Sequence, residues 1–314
     1  GRFRGCDSDG KSGDGAHEII KMLARRPGLD STNSEAGAGG SPSAVELRVD
    51  FLRSYEPSFV QEQLAVLRRI APPDVAIIFT IRTEPEGGQF PIEERAMFEL
   101  MRVGTRAGVD FVDIETRWSK GLLRSFLVDV VRAQPHVGIL GSVHAVRRPL
   151  NSYRDADLIA LFDDAANAFH EAAASVKSKL LRSRILNMIG CIKVVGRAEQ
   201  ENASARIHAA AHAAWNGGGG GGNGGSHVGN GEVTSSTNAD NEDAGNSGIL
   251  SGLVGLPSVA GVIGICTKRY GSLSRVLNAS LGSTPVCSPY MATKAAPGQI
   301  SQDDILAARK ALGL

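Results

Sequence analysis

Apolar positions along this chain follow two periods in alternation. Short β-branched runs, apolar at every second residue or throughout, are separated by segments with apolar residues every three or four positions. The first pattern predicts strands at 44–49, 75–81, 109–114, 137–140, 189–195 and 259–266. The second predicts helices at 57–70, 91–107, 120–133, 155–176, 199–215, 272–281 and 302–312. The stripe in 57–70 is Phe59, Val60, Leu64 and Leu67. Pro91 is expected in the first turn of its helix, where a missing N–H costs nothing. Residues 17–25 carry a short helical stripe, 28–43 read as a loop rich in Gly, Ser, Asn and Pro, and 1–15 give no clear element.

Strands that alternate with helices imply a parallel sheet with crossover helices. No GxGxxG or GxxxxGK[ST] follows a strand, so the phosphate-binding turn of a doubly wound sheet is missing. The glycine run at 217–222 has neither a lysine nor a preceding strand. The number of strand–helix repeats therefore predicts an α/β fold, a (β/α)8 TIM barrel, as one domain over 44–314. A low-complexity, glycine-rich insertion at 216–248 interrupts it and the segment 1–43 precedes it. The insertion is expected to be a surface loop, because lengthening a loop adds little closure entropy. Without the insertion and most of the first segment roughly 240 residues remain, close to the size of a single barrel.

Composition narrows the function classes. The chain has 314 residues, 42% of them hydrophobic, enough for a packed core. Its 34 basic and 33 acidic side chains nearly cancel, which gives no reason to expect nucleic acid as partner. No apolar run approaches the ~20 residues that span a bilayer, so no membrane is expected either. Cys6, Cys191, Cys266 and Cys287 stand far apart, with no CxxC and no histidine at metal-ligand spacing. They read as reduced thiols of a cytoplasmic protein with no metal site. No signal-peptide pattern opens the chain, and its start at Gly1 is expected of a piece cut from a longer polypeptide.

In such a barrel the chemistry sits at the C-terminal ends of the strands. Glu46, Arg48 and Asp50 alternate with Leu47 and Val49, which puts three charges on one face. Inward-facing charges must pair with each other or with a ligand. Arg82 follows a buried strand and precedes Glu86-Gly87-Gly88, a setting for anion or hydroxyl recognition. Later strands end in Asp113-Ile114-Glu115 and Ser142-Val143-His144. Lys193 is embedded in the run Ile192-Lys193-Val194-Val195, where an enclosed amine is suited to attack a carbonyl. Arg275 and Gln299 come after the last strand. A lysine, a histidine, carboxylates and arginines at one mouth suit imine formation on a carbonyl compound that carries a carboxylate. The histidine would move protons and an arginine would hold the carboxylate. An aldolase using the same amine is an alternative.

Seven segments in order extend this. They are Val45 through Asp50, Phe79 through Thr83 with Glu86-Gly87-Gly88, Val112 through Glu115, Ser142 through His144, Ile192 through Gly196, Ser274 through Asn278, and Lys294 through Ser301. On these motifs the chain resembles type I 3-dehydroquinate dehydratase, above all the dehydratase domain of fungal pentafunctional AROM proteins. The resemblance implies a hydro-lyase that converts 3-dehydroquinate to 3-dehydroshikimate, with no cofactor and no metal. It implies Lys193 as the Schiff-base lysine, His144 as proton carrier and Glu86 as its orienting partner. Arg275 would pair with the substrate carboxylate, while Glu46, Arg48, Arg82 and Gln299 would bind ring hydroxyls or position the others. A homodimer, or covalent linkage to other shikimate-pathway domains, is implied as the assembly. The chain departs from the family pattern at Ala145 and Gly190, where the family has Asp, and at Thr267-Lys268, where it has Met-Gly. A catalytically weak regulatory relative, like the quinate-pathway repressors, is the alternative those departures allow.

Overall fold

Six strands lie side by side in chain order, all parallel: β1 Ala44–Arg48, β2 Ala76–Thr80, β3 Phe111–Glu115, β4 Gly138–Pro149, β5 Ile189–Arg197 and β6 Gly261–Thr267. The computed structural model of the chain describes residues 44–73, 75–217, 261–268, 270–277 and 299–313. The expected helix at 17–25, the segment 1–15, nearly all of the 216–248 insertion and the segment 294–298 lie outside the described residues. Each pair of neighbouring strands is joined by a crossover containing at least one helix. These helices are α1 Pro57–Ile70, α2 Glu94–Arg106, α3 Lys120–Ala133, α4 Asp155–Ala174, α5 Lys179–Asn187 and α6 Ala203–Gly217, followed after β6 by α7 Ser272–Leu277 and α8 Gln302–Leu312. Sequential order without reversal is barrel topology, because a doubly wound sheet turns back on itself.

The sheet is strongly curled. Four strand spacings separate β1 from β5, about 19 Å on a flat sheet. Yet Lys193 Nζ on β5 lies 4.0 Å from Glu46 Oε1 on β1. Only closure toward a barrel brings these side chains together. The outer faces of the strands supply Ile77, Phe79, Val112, Ile114, Ile192 and Val194, buried among helix residues such as Leu64, Phe98, Phe126 and Phe169. A smaller apolar cluster of Val195, Ile263 and Ile265, with Cys191 against it, fills part of the inner face.

Several boundaries differ from expectation. β4 continues to Pro149 rather than ending at 140, and it pairs with β5 as far as Arg197. Gly141, Ser142 and His144 break its apolar run, so hydrophobicity alone conceals the strand. α2 begins at Glu94, which leaves Pro91 outside the helix. The chain there is still tied to the preceding turn, because Phe90 donates to the Arg82 carbonyl and accepts from the Glu84 N–H. α6 begins at Ala203 rather than 199. Helix α5 has no counterpart among the expected elements: only Ile185 in it is fully buried, so its amphipathic signal is weak.

Candidate active site

Alternation along the strands sends one polar side chain after another into the barrel. Thr80 lies beside Asp113 in the β2–β3 register, and Ser142 lies beside Lys193 in the β4–β5 register. His144 follows two residues beyond Ser142 on the same face. Lys193 forms a salt bridge with Asp113 Oδ2, and its side chain retains 12% exposure. The other oxygen, Asp113 Oδ1, accepts Arg82 Nη2 at 2.8 Å and the Ser142 hydroxyl at 2.6 Å. Burial alone would raise the Asp113 carboxyl, but Arg82 and Lys193 outweigh it and hold it well below the ordinary carboxylate range. Lys193 is thus no solitary buried ammonium: a fixed carboxylate compensates its burial.

Glu46 is the most open carboxylate of this group. Its Oε1 accepts the Thr80 hydroxyl at 2.7 Å and faces Lys193. The expected row of Glu46, Arg48 and Asp50 is partly altered, because β1 ends at Arg48 and Val49–Phe51 forms a 3₁₀ turn. That turn still swings Asp50 inward, where it grips Arg48 in a two-pronged ion pair at 2.8 and 2.7 Å. Asp50 also accepts the Gln89 N–H, which ties the end of β1 to the loop after β2.

Arg82 sits beneath the mouth with its guanidinium enclosed. Besides Asp113, it donates to Glu115 at 3.1 Å and to Ser142 at 3.0 Å, and Glu86 lies 3.7 Å away. Of the two roles the resemblance offers, this geometry favours positioning over contact with a ring hydroxyl. Glu86 closes the 3₁₀ turn Glu84–Glu86. The turn folds tightly because Gly87 adopts a left-handed φ of 83° and Gly88 packs against the Arg82 carbonyl, where a Cβ would stand only 2.1 Å away.

Glu86 Oε2 accepts the backbone N–H of His144 at 3.0 Å, and ring Nδ1 lies at the same distance from it. An oxygen already serving as acceptor for the backbone draws the ring proton to Nδ1 and leaves Nε2 with its lone pair. Burial, then the charges of Arg82 and Lys193, push the His144 imidazole well below its ordinary value. Burial, then the Glu115 charge, push the Glu86 carboxyl up to about 8 against the opposing pull of Arg82. The result is a neutral imidazole aimed by a carboxyl group, the form a general base requires.

Arg275 lies in α7, buried, with Nη1 donating to the carbonyls of Cys266 at 2.7 Å and Gly271 at 3.2 Å at the end of β6. Gln299 is half-buried, just before α8. The structure therefore gathers Lys193, His144, Glu86, Glu46, Arg48 and Arg82 around one mouth, with Arg275 fixed to the end of β6. Asp113, Glu115 and Ser142, which in the sequence are strand-end residues without an assigned role, complete the cluster. Their signal was present: a carboxylate inside an apolar strand needs a cationic partner, and Asp113 sits mid-run in Phe111–Glu115. Burial pushes the Cys191 thiol up to about 12 and the Cys266 thiol up to about 11, so neither serves as a nucleophile. Among the described residues no group of three or more His, Cys, Asp or Glu could hold a metal ion, and no helix is long and apolar enough to cross a membrane.

The chain is similar to known proteins. The pentafunctional AROM polypeptide of Lachancea thermotolerans is 44% identical over 103 residues, 32% of this chain and 6% of its own length. That of Saccharomyces cerevisiae (strain S288c) is 38% identical over 115 residues, 36% of this chain and 7% of its own. The chain thus spans a small fraction of these relatives. Among solved structures, 3-dehydroquinate dehydratase from Geobacillus kaustophilus aligns over 96% of this chain and 88% of its own with a TM-score of 0.61 at 19% identity. The dehydroquinate dehydratase and shikimate dehydrogenase portion of S. pombe AroM aligns over 86% of this chain and 40% of its own, with a TM-score of 0.55 at 24% identity. Both share the fold. The type I 3-dehydroquinase profile matches residues 29–171 and 254–314. Lys193 falls between the two matched segments, on a strand that continues their sheet. With matched segments covering more than half its length and containing five of the six described strands of one parallel sheet, the chain belongs to the type I 3-dehydroquinase family.

Proposed function

We propose that this chain is a 3-dehydroquinate dehydratase, a hydro-lyase of the shikimate pathway, with Lys193 as nucleophile and His144 as proton carrier. The observation that carries the assignment is their placement: an amine and a neutral imidazole project from adjacent strands into one mouth.

The steps follow from that placement. The Lys193 ammonium gives up a proton to solvent at the mouth, its amine adds to the ring ketone, and the carbonyl oxygen leaves as water with a proton taken back from solvent, which gives the protonated imine. The protonated imine draws electrons from the neighbouring C–H bond, and His144 Nε2 takes the proton to give an enamine. The enamine expels the hydroxyl one carbon further on, which leaves as water with the proton carried by His144. Hydrolysis of the conjugated imine restores Lys193 and releases the enone, so one water is lost overall. Asp113 faces the charged nitrogen throughout, and its bonds to Arg82 and Ser142 fix its direction. Glu86 keeps the His144 ring in the tautomer and angle the proton transfer needs. The proposed binding set is Glu46 and Arg48 at the mouth, Gln299 before the last helix and Arg275 for the carboxylate, with Arg82 positioning Asp113. Of the assemblies considered, the similarity to AROM polypeptides supports a domain of a longer cytoplasmic multifunctional chain over a free homodimer.

The test is direct. The protein is incubated with 3-dehydroquinate, enone absorbance is followed, and the mixture is reduced with borohydride and weighed by mass spectrometry. Turnover with an adduct on Lys193 is expected. Neither turnover nor adduct would reject the dehydratase and support the regulatory reading that Ala145 and Gly190 allow.

A further inference from the structure

The mechanism above uses Glu86 through His144 and Asp113 through Lys193, but it leaves Glu115 without a task. Glu115 is fully buried, a costly place for a carboxylate. Its oxygens are committed to the end of β2. Oε1 accepts the Thr83 N–H at 2.8 Å and Arg82 Nη1 at 3.1 Å, and Oε2 accepts the Thr83 hydroxyl at 2.6 Å. Thr83 is in turn the base of the loop that carries Glu86. Its carbonyl accepts the N–H of Glu86 at 3.0 Å and of Gly88 at 2.9 Å. A continuous chain of bonds therefore runs from β3 through Thr83 to Glu86, and from Glu86 to His144 on β4.

We propose that Glu115 is a positioning residue for the Glu86–His144 pair: it clamps Thr83 from below and places its negative charge behind Glu86. The charge matters because few groups surround Glu86. Glu115 faces it from β3, Arg82 from the end of β2, His144 from β4 and Arg117 from the turn after β3. Arg82, Arg117 and the His144 backbone N–H favour the Glu86 carboxylate, and Glu115 is the opposing charge. Shape and charge thus act through one side chain. A group that only neutralised Arg82 would not need two further bonds to Thr83, the root of the Glu86 loop.

Two full-chain variants separate this role from a structural one. Glu115→Gln keeps the size and removes the charge, while Thr83→Val keeps the charge and removes the hydroxyl contact. The first readout is the pH titration of the His144 ring nitrogens by NMR, which does not depend on turnover. The wild type is expected to show an inflection near 8 from Glu86. In Glu115→Gln it should move down by about one pH unit or more. Thr83→Val should leave the inflection in place, change the Nδ1 shift below it and lower kcat about tenfold with little change in KM. A folded Glu115→Gln with the wild-type inflection overturns the proposal. If Glu115→Gln does not fold, Thr83→Val decides, and a wild-type Nδ1 shift overturns it. The kinetic arm rests on the dehydratase reading: a wild type that does not turn over rejects that reading, while the NMR arm still judges the clamp.

Discussion

One oxygen, Glu86 Oε2, lies 3.0 Å from both the main-chain nitrogen and ring Nδ1 of His144. The backbone bond fixes where the carboxyl sits, and the ring bond then fixes how the imidazole points. His144 is thereby oriented by its own strand as well as by its partner, and Nε2 is the ring nitrogen that Glu86 does not bind. Removing the imidazole should therefore harm proton transfer and spare imine formation. His144→Ala is expected to lose about 10²–10⁴-fold in kcat. The mutant should still yield a borohydride-reduced adduct of substrate on Lys193, seen by intact mass. Loss of the adduct together with turnover would place His144 in the imine step instead.

Lys193→Ala should abolish both turnover and trapping while leaving a folded barrel. Asp113 keeps Arg82 and the Ser142 hydroxyl when Lys193 is gone, so its buried charge still has partners. Circular dichroism and a thermal melt check the fold, and residual rate checks the mechanism. Asp113→Ala should behave differently. It takes one carboxylate from the buried Arg82, which keeps Glu115 and Ser142, and the near carboxylate from Lys193, and should cost about 1–3 kcal/mol, enough to lower the unfolding midpoint.

Stability should carry the signature of Glu86. Its folded-state value of about 8 lies above the ordinary 4.5. Between these values the folded protein holds a proton that the unfolded chain has released, so this group's contribution falls as pH rises. Glu86→Gln does not titrate and should gain stability relative to the wild type from pH 5 to 8, by at most a few kcal/mol. Urea unfolding at several pH values measures the difference. A difference that is flat across the window would show that Glu86 titrates normally.

Lys268 is the one non-glycine residue at positive φ among the described residues, at 70°, and it is exposed at the end of β6. A side chain in that conformation costs about 1–2 kcal/mol. Lys268→Gly should therefore raise the melting temperature by a few degrees, partly offset by the greater freedom of the unfolded chain.

Gly88→Ala should damage activity more than stability. The added methyl would meet the Arg82 carbonyl at 2.1 Å, so the loop bearing Glu86 must shift. A displacement of about 1 Å can cost two orders of magnitude in rate. Comparing kcat with the urea midpoint distinguishes this from general unfolding.

The sequence by itself determined the alternation of strand and helix, with α1 and α3 lying where their apolar periods place them. It also determined that Arg82 and His144 come beyond the ends of apolar runs and that Lys193 interrupts one. These are consequences of local periodicity, which a few neighbouring residues settle. It did not determine that β4 runs on past His144, because that extension is held by pairing with β5 and not by its own hydrophobicity. Nor did it determine which charges meet. Asp113 and Lys193 are 80 positions apart, and Glu46 reaches Lys193 only because the sheet curls. Arg82 reads in sequence as a ligand-binding cation, and in three dimensions it is enclosed by Asp113, Glu115 and Ser142. An ionic group's role is set by the partners that surround it in low dielectric, and those partners come from strands that only the closed fold brings together.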